Sequence, residues 1–400
     1  MSPGLVVVVL SMLLGLQSIT TDLYLPALPA LTAGFGASMS QAQLTLSGLL
    51  LAFGISQLIW GPLSDRFGRR PILLWGLAAY TLASIGSALA PSMAQLIGWR
   101  MVQGAAMGAV AMCARAIVRD LYMPVDGARV MSRALTGLGI IAGICPALGG
   151  LIAGLFGWRA TVAMLVVFGA CCLWIVVWRF KESLPSKNPR ALDPAGLART
   201  WLMILRNPVF LAYSAISMAS YGTMFTFIAG SSFVFIDILK LSAAQYGLVL
   251  LFSSVFYIFG TMICRRLLPR FGVRRSVAIA GGLSITGGTA MGLLAWAGVN
   301  TVWAVMVPHF IFMMGHGIHQ PCSQSGAVGP FPQAAGTASA LNGFLMMAVA
   351  FAMGGWMGAH MDGTVVPMAN GIWFWTALLA LAAWTVVQKY GDPLHETKRR

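Results

Sequence analysis

Asp22 stands alone among the acidic residues of this chain until Asp65 is reached. It lies in "LQSITTDLYLPALPALTAGF", residues 16–35, where an apolar stretch gives way to Pro26 and Pro29. A carboxylate so placed can carry a proton, releasing it when water or a cation arrives, or it can accept a cationic or hydrogen-bonding ligand. The plainer alternative is that it ends a helix in an aqueous loop ahead of the prolines. Arg100 sits one or two turns from the end of its own apolar run, so it shares the depth of Asp22 on an antiparallel segment, and a pair is possible. Arg115, near the opposite end of that run, can snorkel to water or lipid phosphate. Gln17 and Tyr24 flank Asp22 as polar candidates. Later, "PHFIFMMGHGIHQPCSQ", 308–324, puts His309 and His316 seven residues apart on one helical face, with His319 a turn further. Neutral histidines can shuttle protons or donate hydrogen bonds, and they can equally serve packing. No Asp or Glu accompanies them, so no metal site is expected. Tyr221, Phe225, Phe227, Gln245 and Asn342 complete the residues that could line a pathway.

The elements that must position these groups are membrane helices. The chain is 58% hydrophobic and 9% charged with a mean hydropathy of +0.82, whereas ordinary domains carry about 25% charged residues. Apolar runs fall near 5–26, 43–62, 72–90, 96–117, 134–156, 161–178, 208–230, 246–263, 276–297, 301–323, 335–358 and 369–387. Each supplies the roughly 20 residues needed to cross about 30 Å of hydrocarbon as helix. The short alternating strands of a barrel are missing. No Lys or Arg precedes the first run and no cleavage site follows it, so it reads as a retained helix and not an export signal. The six cysteines lie in or beside these runs and read as small apolar fillers.

Basic residues alternate between connections. One set of loops carries Arg66, Arg69 and Arg70, then Arg119, Arg129 and Arg133, then Arg179, Lys181, Lys187, Arg190, Arg199 and Arg206. It continues with Arg265, Arg266, Arg270, Arg274 and Arg275 and ends with Lys389, Lys398, Arg399 and Arg400, while the other set holds only Arg159 and Lys240. The positive-inside rule therefore puts both termini in the cytoplasm. The formal charge of +15 follows from this bias and suits anionic lipid, not nucleic acid. "DRFGRRP" at 65–71 returns 204 residues later as "PRFGVRR" at 269–275. Such a repeat implies two six-helix halves, residues 1–180 and 207–400, joined by a cytoplasmic linker at 181–206.

Within the first loop, Gly68 permits a tight turn, and Pro71 suits the first turn of the next helix. Glycine pairs four residues apart, Gly104/Gly108, Gly139/Gly143, Gly150/Gly154 and Gly354/Gly358, would let helices approach closely. Pro146 should kink the fifth run.

"GPLSDRFGRRP" at 61–71 resembles the signature loop of the major facilitator superfamily. "TTDLYLPALP" at 20–29, "RMVQG" at 100–104, "RAIVRDLY" at 115–122 and "PALGG" at 146–150 are similar to its drug-resistance branch of proton antiporters, the bicyclomycin-resistance/CflA-like group. The resemblance implies an all-α integral membrane protein of the major facilitator type, with twelve transmembrane helices in two six-helix bundles. It implies a transporter and not an enzyme, with a small-molecule substrate, protons and membrane lipid as partners, no cofactor, and function as a monomer in the cell inner membrane. Asp22 would be its membrane-embedded acid, with Arg100 beside it in coupling. Gly61, Asp65, Arg66, Gly68, Arg69 and Arg70 would form the gating loop, in which Asp65 braces the boundary between halves and faces the amino end of the eleventh helix. Pro146, Gly149 and Gly150 would serve conformational change. In the family's antiporter motif a glycine precedes the proline and a small residue stands four positions before that glycine. Here those positions are Cys145 and Ile141, so the motif does not fix the direction of transport. The expected function is proton-coupled efflux of moderately lipophilic neutral or cationic drugs. The alternative is an exporter or uptake carrier for a nucleoside, sugar or amino acid. No HExxH, GxSxG or GxxxxGK[ST] motif points to hydrolysis or ATP.

Overall fold

The computed structural model describes residues 3–391 except 123, 185, 186, 188 and 190. Arg190, Lys398, Arg399 and Arg400 lie outside the described residues, as do the side chains of Arg119 and Arg129. Regular structure among the described residues is entirely helical. The helices are α1 (Pro3–Asp22), α2 (Leu28–Phe35), α3 (Met39–Phe67), α4 (Arg69–Ala88), α5 (Met93–Leu121), α6 (Pro124–Phe156) and α7 (Trp158–Arg179). They continue as α8 (Pro194–Leu205), α9 (Pro208–Phe233), α10 (Ala243–Trp296), α11 (Val302–Val328), α12 (Ala335–His360), α13 (Val366–Trp384) and α14 (Val386–Tyr390). Among the described residues eleven helical segments are long and apolar enough to cross a membrane. One of them, α10, is 54 residues long and breaks at Gly272, whose φ of 68° is not helical. Counting its two arms gives the expected twelve.

Polar caps mark where helices emerge from the apolar region. Ser38 and Gln41 cap one another reciprocally at the start of α3. Ser92, Asn207, Ser242 and Thr301 accept backbone N–H groups at the starts of α5, α9, α10 and α11. Each side chain satisfies donors that the first turn of a helix leaves without partners. Bulky side chains such as Trp75, Leu82, Trp174, Trp178, Phe252, Ile258 and Trp303 are exposed. A water-soluble protein does not present so much apolar surface, and lipid is the solvent that accepts it.

The chain forms two compact units. The first comprises Met1–Pro194 and Ser242–Leu248, and the second Ala195–Leu241 and Val249–Arg400. In the first, α3 and α4 pack on α5, α4 also packs on α7, and α1 packs along α6. In the second, α9 is buried around its circumference and touches α11, α12 and α13. The short α8 falls in the stretch that composition marks as a linker.

The glycine pairs divide by environment. A Cβ on Gly104 would run into the carbonyl of Leu49, and one on Gly108 into Ser56 and the carbonyl of Phe53, so α3 and α5 meet backbone to backbone. Gly139 and Gly154 have open space where a Cβ would go. Spacing alone cannot separate the two cases, because the partner helix decides. Pro146 lies inside α6, which stays helical from Pro124 to Phe156. The missing proline N–H removes one bond without ending the helix.

Gly104→Val should therefore lower the melting temperature of the detergent-solubilised protein, by the roughly 1–3 kcal/mol typical of overpacking. Gly139→Ala should leave it unchanged or raise it, since alanine is the better helix former by about 1 kcal/mol. Equal losses in the two variants would contradict the close approach of α3 and α5.

Candidate functional site

The polar groups of the first unit gather in two places. At one, Arg100 of α5 is fully buried and has no carboxylate partner among the described residues. Its Nη2 donates to the carbonyl of Thr20 at 3.0 Å, its Nη1 to Oε1 of Gln103 at 2.7 Å, and its Nε to the carbonyl of Thr45 at 3.3 Å. Its guanidinium carbon lies 4.3 Å from the centroid of the Tyr24 ring, within cation–π range. Gln103 Nε2 donates in turn to Ser84 Oγ at 2.7 Å. The Tyr80 hydroxyl meets Thr20 Oγ1 at 2.7 Å, and the Tyr24 hydroxyl donates to Thr45 Oγ1 at 2.9 Å. All seven residues of this network are buried. A charge in low dielectric is tolerable only with such complete hydrogen bonding.

The expected ion pair between Asp22 and Arg100 is not formed: among the described residues the ion pairs are Asp65–Arg69 and Arg69–Asp120. The physical reason is that carbonyls and an amide already occupy the fork of Arg100. Asp22, the last residue of α1, is half-buried and accepts from Thr21 Oγ1 at 2.8 Å. Its helix end packs by Ile19 and Leu23 against Cys145, with Ile141 alongside. Arg100 therefore grips the last turn of α1 through the Thr20 carbonyl, two residues before the carboxylate. Gln17 is half-buried one turn earlier. A Cβ on Gly149 would strike the Leu23 carbonyl, which makes this glycine the point where α6 crosses the end of α1, while one on Gly150 would strike the carbonyl of Ala243.

The second gathering is the loop between α3 and α4. Arg69 is almost wholly buried and bonds Asp65 at 2.7 Å, Asp120 at 2.8 Å and Ser64 Oγ at 2.6 Å. Arg70 donates to the carbonyls of Phe180 and Val177 at 2.9 and 3.1 Å, so it holds the end of α7, and Arg66 reaches the Pro189 carbonyl. Sequence reasoning missed Glu182. Its carboxylate accepts the N–H groups of Arg69 and Arg70, which open α4, and those of Ser183 and Leu184. Gly68, with φ of 109°, provides the room, because a Cβ there would run into the carboxylate. Partial burial pushes the Glu182 carboxyl up, but the amides of Leu184, Arg69, Arg70 and Ser183 together outweigh it and hold the group below its usual range. Gly61 lies on α3 beside Met112. Asp120 was visible in "RDLY" and Gln103 in "RMVQG"; Glu182 had no signal for this role, since the α4 amides it meets lie more than 100 residues away.

The remaining candidates are dispersed. Arg115 is exposed and makes no hydrogen bond or ion pair among the described residues. In the second unit His309 stacks on Phe227 with centroids 3.5 Å apart, His316 Nδ1 bonds Ser220 Oγ at 2.7 Å, and Asn342 Nδ2 donates to Ser217 Oγ at 3.3 Å. Phe225 and His319 are buried and Tyr221 is half-buried. No cluster of three or more His, Cys, Asp or Glu able to hold a metal occurs among the described residues.

Comparison with known proteins bears on the same elements. The sequence pattern described as Major Facilitator Superfamily matches residues 10–355. The chain is 28% identical over 336 residues to multidrug resistance protein D of Escherichia coli, covering 84% of each. It is 30% identical to a chloramphenicol resistance protein of Pseudomonas aeruginosa, over 82% of this chain and 77% of that one. A bicyclomycin resistance protein homolog of Haemophilus influenzae is 26% identical over 87% of both. Among solved structures, the xylose transporter of E. coli in a partially occluded inward-open form superimposes with a TM-score of 0.74, at 14% identity, over 98% of this chain and 99% of its own. That likeness concerns the fold.

Glu182 generates a pH-resolved expectation. A carboxyl held low in the folded protein contributes stability that is present above its unfolded value, about 4.3 for glutamate, and is lost as pH falls through the lower folded value. Glu182→Gln should thus melt below wild type at pH 6–7, and the gap should close on acidification toward about pH 3. Thermal scans of the two proteins across that range check it; a gap that stays constant or widens in acid would remove the carboxylate from this role.

Proposed function

The chain belongs to the Major Facilitator Superfamily, and from that membership we propose that it is a proton-coupled exporter of moderately lipophilic drugs, neutral or singly cationic, working by alternating access. The observation that carries the reading is its similarity, over most of the chain, to proteins named for multidrug, chloramphenicol and bicyclomycin resistance. Asp22, a carboxylate in the first membrane span, supplies the means of coupling. Among the described residues no cation pairs with Asp22, so it is free to hold a proton when closed off from water and to yield it when wetted. A substrate cation or hydrogen-bond donor that competes for the same carboxylate exchanges for the proton, which is antiport. Arg100 acts through position: it fixes the end of α1 from which the carboxylate projects and adds a fixed positive potential nearby. The gating role falls to the loop of Asp65, Arg66, Gly68, Arg69 and Arg70, with Pro146, Gly149 and Gly150 serving the movement of α6. The distribution of basic residues supports cytoplasmic termini, and the protein acts as a monomer in the inner membrane.

Expression in an efflux-deficient bacterium should raise tolerance to an amphenicol or a bicyclomycin-type antibiotic several-fold, and a protonophore should abolish the gain. Asp22→Asn should insert normally and lose proton-driven accumulation in everted vesicles; full transport against a gradient with unchanged pH dependence would end the carrier role. Arg100→Lys should retain more activity than Arg100→Ala. Alanine strands the Thr20 and Thr45 carbonyls and Gln103, at roughly 1–3 kcal/mol for each buried group left unsatisfied. Arg100→Ala with wild-type transport would refute the positioning.

A further inference from the structure

The second unit contains a polar row that the coupling chemistry above does not use. Helical hydroxyls in this chain mostly turn back to a carbonyl of their own helix, as Thr223 does to Ala219 and Thr226 to Gly222 within α9. Ser217 and Ser220 of the same helix do not. Ser220 Oγ meets His316 Nδ1 of α11 at 2.7 Å, and Ser217 Oγ accepts from Asn342 Nδ2 of α12 at 3.3 Å. The two serines lie about 4.5 Å apart along the axis and on neighbouring positions of one face. Three helices are thereby joined by four uncharged polar side chains, all at least nine-tenths buried.

The row is incomplete in a particular way. Asn342 gives its N–H groups to Ser217 and to the sulfur of Met346, while its Oδ1 is buried without a partner among the described residues. His316 is held by Ser220 at Nδ1 and braced by the rings of Tyr257 and Phe312 at 5.6 and 5.7 Å. Its Nε2 has no protein partner among the described residues. If Ser220 donates to Nδ1, Nε2 carries the proton and donates; in the other tautomer it accepts. An unmet acceptor in low dielectric is costly, and a network left partly open is more costly than an apolar core.

We propose that His316, Ser220, Ser217 and Asn342 form a hydrogen-bonding subsite for an uncharged part of the transported molecule, one that bears hydroxyl or amide groups. A ligand N–H or O–H would answer Asn342 Oδ1, and a second polar atom would meet His316 Nε2. A carboxylate or phosphate finds no cation in this row, and an ammonium finds no anion. The assignment rests on the export reading above and narrows it: the second unit selects for neutral donor and acceptor groups, independently of charge recognition by Asp22.

The test uses two probes on the full-length protein. Chloramphenicol is uncharged and carries an amide and two hydroxyls; tetraphenylphosphonium is a permanent cation with no hydrogen-bonding group. Asn342→Leu and His316→Phe should each raise the KM for chloramphenicol export roughly three- to tenfold, the worth of a hydrogen bond, while leaving tetraphenylphosphonium export unchanged. Chloramphenicol binding to purified protein in detergent should weaken by the same factor. Should either variant fail to accumulate, the smaller change Ser220→Ala carries the same expectation. Parallel losses for both probes would mean a structural role and overturn the subsite, as would chloramphenicol binding of wild-type strength in the variants. Absence of export by the wild type would defeat the efflux reading alone, because the binding measurement still decides the subsite.

Discussion

A guanidinium with nowhere to go organises the first unit. Arg100 is sealed among helices that face lipid, and no carboxylate among the described residues answers its charge. The remaining solution is to surround it with oxygen dipoles and a ring face, and doing so recruits α1 through Thr20, α3 through Thr45 and, by way of Gln103 and Ser84, α4. A hydrophobic contact between these helices would be weak glue, since lipid tails offer the same environment. Geometric demands of a planar fork are not so easily exchanged. The consequence reaches past the network: the carboxyl end of α1 is tied down, and Asp22 is placed by a residue that does not touch it.

The repeated loop shows how far the two halves share their construction. Gly68 and Gly272 both turn at positive φ, 109° and 68°, at equivalent points of the repeat. Arg70 reaches carbonyls at the end of α7, and its counterpart Arg274 donates to the carbonyl of Gln388 in α14, beyond the last long helix of its own unit. The rest differs. Where Asp65, Arg69 and Glu182 knit the first loop, the second has Pro269 and Val273 at the positions of Asp65 and Arg69, and Gln388 returns a bond to the Arg274 carbonyl. One arginine staple is common to both halves, and the Asp65–Arg69 pair belongs to the first.

Length, hydropathy and charge made the helices legible because lipid imposes those constraints residue by residue. The break at Gly272 falls between two of the expected apolar runs, 246–263 and 276–297. Partners were another matter. The depth of Arg100 suggested Asp22, yet the fork closed on main-chain carbonyls, which every residue type carries and no sequence pattern advertises. Gly104 and Gly139 have the same spacing to a second glycine and opposite surroundings. Glu182 sits beyond the last apolar residue of α7, in a stretch that composition reads as linker, and only the fold brings it to the first amides of α4.

The separation of Asp22 from Arg100 carries the mechanistic consequence. A carboxylate locked to a guanidinium would remain ionised, and a proton or substrate would have to displace the cation at the full cost of a buried charge left bare. Arg100, satisfied by neutral groups, makes no such claim. Among the described residues Asp22 is in no ion pair, and it accepts from the adjoining Thr21 hydroxyl. A change of charge at Asp22, which the proposed coupling requires, would leave intact the network that holds α1.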